Sequence, residues 1–116
     1  MAESRMLELA QELAAQSRAG KVVWGETGRK EVYRVYFPDV VLTISMSESP
    51  SEDPHVDDWV TTYRLDLGSE SGRVIDSLSV EPNDERYELL GEIFELAERH
   101  VRDTGINKAL DYLKSR

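Results

Sequence analysis

The chain has no cysteine. A disulfide framework, a thiolate zinc site and a cysteine nucleophile are therefore excluded together. Small secreted domains commonly lean on disulfides, so the same lack sets the expectation of a cytoplasmic protein. Histidine is almost as scarce. His55 and His100 are the only two, with no HxxxH, HxH or HExxH spacing. His55 stands among Asp53, Asp57 and Asp58, but that stretch lacks the D-x-D-x-D-G calcium pattern, and no metal is expected there. No segment approaches the ~20 apolar residues that span a bilayer. The opening MAESRMLELAQELAAQSRAG is too charged for the apolar core of a signal peptide. Basic residues are in deficit, 14 Lys and Arg against 23 Asp and Glu, giving a formal charge of −9 and a pI near 4.7. Such a chain repels phosphate backbones and anionic lipid, so neither nucleic acid nor membrane is an expected partner.

Catalytic signatures are missing as well. There is no G-x-S-x-G, P-loop or dinucleotide fingerprint. Gly25, Gly28, Gly68 and Gly72 fall in turns that precede strands, whereas a phosphate cradle lies between a strand and a helix N-terminus. Carboxylates are numerous, and Glu88, Glu92 and Glu95 are expected on a solvated helix flank. No serine has an evident base partner. No cofactor and no catalytic residue are expected, and catalysis is disfavoured.

What the chain does have is alternation. Residues 31–46, EVYRVYF-PD-VVLTISM, alternate apolar and polar side chains with period two on both sides of Pro38-Asp39. That is the pattern of a half-buried antiparallel pair. Tyr33, Val35 and Phe37 share a face with Val40, Leu42, Ile44 and Met46 on the next strand. A third strand, 59–67, puts Trp59, Thr61, Tyr63, Leu65 and Leu67 on one side. A fourth, 73–80, follows the turn GSESG. Its phase slips between Val74 and Leu78; a β-bulge near Ile75-Asp76 would repair the pattern, and so would a weakly defined outer face. Val22, Val23 and Trp24 read as a short extended piece before a turn at 25–28. Residues 47–58, SESPSEDPHVDD, read as an acidic loop.

Helices flank the strands. Met6, Leu9, Ala10, Leu13 and Ala14 form one stripe over 3–18, with Gly20 as a C-terminal stop. Pro82-Asn83-Asp84 announces a second helix, capped by Asn83 or Asp84 and running to about Val101. Tyr87, Leu90, Ile93, Phe94, Ala97 and Val101 are its apolar stripe. His100 then lies near a helix C-terminus, where a cation is favoured. The pattern breaks at 102–105, and a short last helix is expected over 106–114. With 116 residues, the chain reads as a single domain. The expected fold is α+β: a four-stranded antiparallel meander with N-terminal and C-terminal helices packed on one face.

The face left uncovered is the candidate site. It gathers Arg34, Tyr36, Thr43 and Arg64, with Asp66 and Ser77 beside them and Val32, Val41 and Ile75 on the same side. Long basic and aromatic side chains on rigid strands make interface anchors. The plain alternative is a solvent face with cross-strand pairs such as Arg34 or Arg64 with Asp66. Trp24 and Trp59 adjoin strand starts, where packing is expected of them; a ligand-stacking pair is the alternative.

The segments GKVVW, YRVYF, VVLTISM, YRLDLGSESGRVIDSL, YELLGEIFELAERH and IxxALDYL follow one another in order. Together they resemble small uncharacterised prokaryotic proteins of α-β-meander-α layout. The resemblance implies the fold and carries over no activity, ligand or catalytic residue. The leading functional expectation is an interaction or adaptor domain that binds a protein partner or forms a homodimer. The alternatives are a small-ligand-binding accessory protein with a pocket near Trp24 and Trp59, or an acidic inhibitor, immunity- or antitoxin-like, of a basic partner.

Overall fold

Period-two alternation predicts strands that cover one face with apolar side chains, and they do so in a computed structural model of the chain, which describes residues 2–51 and 58–115. The order is α1 (Ala2–Arg18), β1 (Gly25–Glu26), β2 (Val32–Phe37), β3 (Val40–Pro50), β4 (Trp59–Ser69), β5 (Val74–Val80) and α2 (Tyr87–Lys114). The strands form one antiparallel sheet in the order β1-β2-β3-β4-β5, a meander of five strands where four were expected. The extra member is the two-residue β1. It pairs Gly25 with Arg34 and Glu26 with Tyr33, so the strand lies just beyond the expected 22–24 piece. Val22 and Trp24 instead turn inward and are buried. Trp24 donates its indole N–H to Ser17 Oγ at 3.1 Å, which satisfies its one polar atom.

The inner face aligns by register. Val35 faces Leu42, Leu42 faces Leu67, Ile44 faces Leu65, and Leu65 faces Leu78. Ile44 and Leu65 are fully buried, as are Leu90 and Ile93 of α2. Each such side chain contributes about 1.5–3 kcal/mol of burial. Met6, Ala10, Leu13 and Ala14 of α1 complete the same core, so both helices cover one face. Tyr33, Tyr63, Tyr87 and Phe94 form a tilted aromatic cluster where α2 crosses the sheet, with ring centroids 5.1–5.7 Å apart.

Local chemistry fixes the ends. Gly20, at φ 72°, closes α1 in a Schellman motif: Lys21 N–H bonds Gln16 C=O and Gly20 N–H bonds Ser17 C=O. Pro38, whose ring holds φ negative, is followed by Asp39 at φ 70°, the sequence of a type II turn. The bulge falls where the phase slipped: Leu67 pairs with Asp76 and Gly68 with Val74, leaving Ile75 unopposed on β5. Arg18 reaches α2 through two 2.8 Å hydrogen bonds to Glu92, so Glu92 is tied down and not simply solvated. These bonds hold the Glu92 carboxyl below its usual range.

Four other expectations are corrected. The acidic loop is shorter than 47–58, because β3 continues to Pro50, with Ser47 opposite Thr62 and Pro50 opposite Trp59. The strand-forming Val60, Thr61 and Thr62 carry the ladder past the polar Ser-Glu-Ser of β3. The remaining residues 52–57, His55 among them, lie outside the described residues. Second, α2 does not stop near Val101. It runs unbroken for 28 residues through Gly105, and His100 is therefore mid-helix. Third, neither Asn83 nor Asp84 caps α2. The N-cap is Arg86, with no side-chain cap bond. Asp84 instead accepts from the Arg86 side chain at 2.7 and 2.9 Å and from its backbone N–H at 2.8 Å, and these bonds lower its carboxyl pKa to about 2. Fourth, Trp59 is not packed: it is 65% exposed at the outer end of β4.

Candidate functional site

The outer face is built from three cross-strand rows. Arg34, Thr43, Asp66 and Ser77 form the middle row. Val32, Ser45, Arg64 and Ser79 lie on one side of it, and Tyr36, Val41, Gly68 and Val74 on the other. Among the described residues no helix covers these rows, and Tyr36 is 70% exposed. The face is concave. A groove of about 540 Å³ runs over it, floored by Val32, Val41 and Val74. The bulge at Ile75 accounts for part of this shape, because an unpaired residue bends its strand and increases the local twist. Gly68, lacking a side chain, leaves the floor open between Val41 and Val74.

The structure brings three of the four expected residues together. Arg34 donates Nε–H to Thr43 Oγ1 at 3.3 Å and Nη1–H to Tyr36 Oη at 3.4 Å, so the guanidinium lies between its two neighbours on the groove wall. Arg64 is separate. It is not part of the groove lining, and its Nε–H bonds Asp66 Oδ1 two residues along its own strand at 2.8 Å. Of the two pairs expected with Asp66, the structure forms the one with Arg64. Ile75 is exposed but outside the groove, and Val74 takes its place.

Sequence reasoning missed the groove's charged ends. Arg29 and Lys30 border it from the turn before β2, and Glu70 from the turn after β4. The basic ends fall on the β2 side, next to Arg34, and Asp66 and Glu70 lie on the β4 side. The available signal was their place beside turn glycines: Gly28, at φ 81°, and Gly72, at φ 87°, reverse the chain at the two corners of the same face.

A second concavity, about 450 Å³, lies between α1 and the inner ends of β2 and β3. It is lined mainly by apolar side chains, including Leu9, Leu13, Val22 and Phe37. Neither Trp24 nor Trp59 borders it. Among the described residues, no group of three or more His, Asp or Glu side chains converges as metal ligands, and no helix is long and apolar enough to cross a membrane. Compared with protein-family models, with curated proteins and with solved structures, the chain matches none.

Proposed function

We propose that the chain is a protein-interaction domain that holds a segment of a protein partner in the outer groove of its sheet. One observation carries this reading: an apolar floor, flanks of opposite charge and an exposed Tyr36 beside Arg34 share one concave surface on rigid strands. Tyrosine and arginine are the residue types that dominate interface energetics. Rigid strands also hold them without the ordering penalty that flexible loops incur on binding.

The lining dictates the chemistry of the occupant. Arg29, Lys30 and Arg34 call for acidic groups on the β2 side, Asp66 and Glu70 for a basic group on the β4 side, and the valine floor for an aliphatic side chain between them. A concave face accepts a convex segment better than it accepts the concave face of a second copy. The test is selection from a display library of random peptides, with counter-selection on Arg34→Glu/Tyr36→Ala. Retained peptides should carry an acidic residue beside an aliphatic one and should shift the amide resonances of β2 and β3. Peptides that bind the double variant equally well, or that shift only resonances remote from the groove, would overturn the reading.

A further inference from the structure

The two edges of the meander are finished differently. One bond fixes the phase of the ladder. Met46 N–H donates to Glu31 C=O, so even-numbered residues of β3 bond β2 and odd-numbered ones bond β4. Carried through the register, the odd-numbered residues of β4 bond β5 at Asp76, Leu78 and Val80. Ser77 and Ser79 therefore turn their backbone N–H and C=O groups away from the sheet. On the opposite edge the outward groups of β2 are covered: Arg34 is paired with Gly25 of β1, and the Val32 carbonyl accepts the Thr27 hydroxyl at 3.0 Å. Among the described residues no strand pairs with the outer side of β5.

An open edge is a template for another chain. Much of β5 suits that use, since Val74 and Ile75 are strand formers and are 54% and 56% exposed. A second copy is the occupant that fits, because β5 can match itself about a two-fold axis. Two antiparallel registers employ the outward groups of Ser77. The first sets Ser77 against the partner's Ser77 and Asp76 against the partner's Leu78. The second sets Ser77 against the partner's Ser79, Leu78 against the partner's Leu78 and Asp76 against the partner's Val80.

Asp76 opposes both registers. Its Oδ1 accepts the Ser77 N–H at 2.8 Å, which occupies the donor that each register needs. Asp76 also shares a face with Leu78 and Val80, the face that carries the core. Pairing would therefore press its carboxylate against an apolar side chain of the second copy and strip it of water. The bulge at Ile75 adds to this by shortening the straight part of the edge. We propose that Asp76 keeps β5 from pairing with the β5 of a second copy, and that its removal lets the sheet continue across a two-fold axis. The guard lies on the edge and on the helix side, so it acts independently of whatever fills the outer groove.

The test compares wild type with Asp76→Val and Asp76→Thr, two uncharged strand formers, and with Asp76→Val/Ser77→Pro. Proline at 77 removes an outward N–H and leaves the ladder to β4 intact. Each protein is followed by sedimentation equilibrium and by residue-resolved amide hydrogen exchange between about 20 and 500 µM. In wild type, exchange at Ser77 and Ser79 should not depend on concentration. In Asp76→Val and Asp76→Thr, both amides should slow at least about tenfold as concentration rises, together with a gain in mass. Proline at 77 should return Asp76→Val to the wild-type mass. Concentration-independent exchange at both amides in both variants would overturn the proposal. So would slowing already present in wild type, or a dimer of the Asp76 variants that leaves Ser77 and Ser79 unprotected or survives the proline. Should Asp76→Val fail to fold, Asp76→Thr decides through the exchange of the two amides, which needs no proline variant.

Discussion

Gly91 sits inside α2, where glycine lowers helix stability by about 1 kcal/mol relative to alanine. A Cβ built there would stand 3.1 Å from Tyr63 Cε2, closer than ordinary van der Waals contact, and 3.4 Å from its Cζ. The Tyr63 ring has little room to yield, since Tyr87 and Phe94 hold it with centroids 5.1 and 5.7 Å away. Overpacking of this kind costs about 2 kcal/mol. Gly91→Ala should therefore destabilise the protein by about 1 kcal/mol, the overpacking less the helix gain. In a Tyr63→Leu background the obstructing atoms are gone, and the same substitution should stabilise by about 1 kcal/mol. The sign reverses, with a coupling of about 2 kcal/mol. Urea unfolding of the four proteins, followed by helix ellipticity and by the fluorescence of buried Trp24, measures it. If Gly91→Ala stabilises equally in both backgrounds, with unchanged m-values, the close approach of helix and sheet is not why glycine occupies this position.

Three further outcomes are expected. Leu65→Ala empties a fully buried site at the centre of the sheet and should cost about 2–5 kcal/mol in urea unfolding; a loss below about 1 kcal/mol would mean the site collapses freely. Acid should weaken the fold. Asp84, held at about 2 by the Arg86 side chain and backbone N–H, and Glu92, lowered by Arg18, both have depressed folded-state pKa values. Their stabilisation is complete above an unfolded pKa of about 4 and, for Asp84, disappears as pH falls through about 2. Unfolding curves between pH 5 and 2 should thus flatten in Asp84→Asn/Glu92→Gln, and an unchanged slope would assign the acid loss elsewhere. Finally, Glu31 holds φ at 62°, a conformation unfavourable for a side chain of its type, while its carbonyl accepts Met46 N–H at 3.1 Å. Glu31→Gly should stabilise by about 1 kcal/mol by relieving that conformation, and a lower midpoint in urea would contradict this.

The strands were legible because one face of each is buried, and burial writes itself into the sequence with period two. Even the bulge at Ile75 could be read, as a slip in that period. The ends were harder to read. Ser47–Pro50 looks like a loop by composition, and it is a strand because β4 offers it Thr62 to Trp59 in register; pairing is not a local property. The apparent break at 102–105 is a change of helix face, since the stripe rotates by about half a turn while the backbone hydrogen bonds continue. A periodicity scan reports both events as the same loss of phase. At the candidate site, Arg34, Tyr36 and Thr43 could be placed by alternation alone. Arg29, Lys30 and Glu70 could not, because turn residues have no period and their side chains reach the groove only through the curvature of the whole sheet.

The meander and the helix pair differ in how far apart along the chain their partners lie. Every strand of the sheet pairs with the next one in sequence, so the ladder can zip as the chain leaves the ribosome. α1 is different: it packs against β5 and α2, which are translated after all the other strands. α1 is thus made before the strands yet docks after them. Met6, Leu9 and Leu13 therefore lack their core partners until β5 and α2 have been made, so the apolar stripe of α1 is exposed through the whole synthesis of the meander.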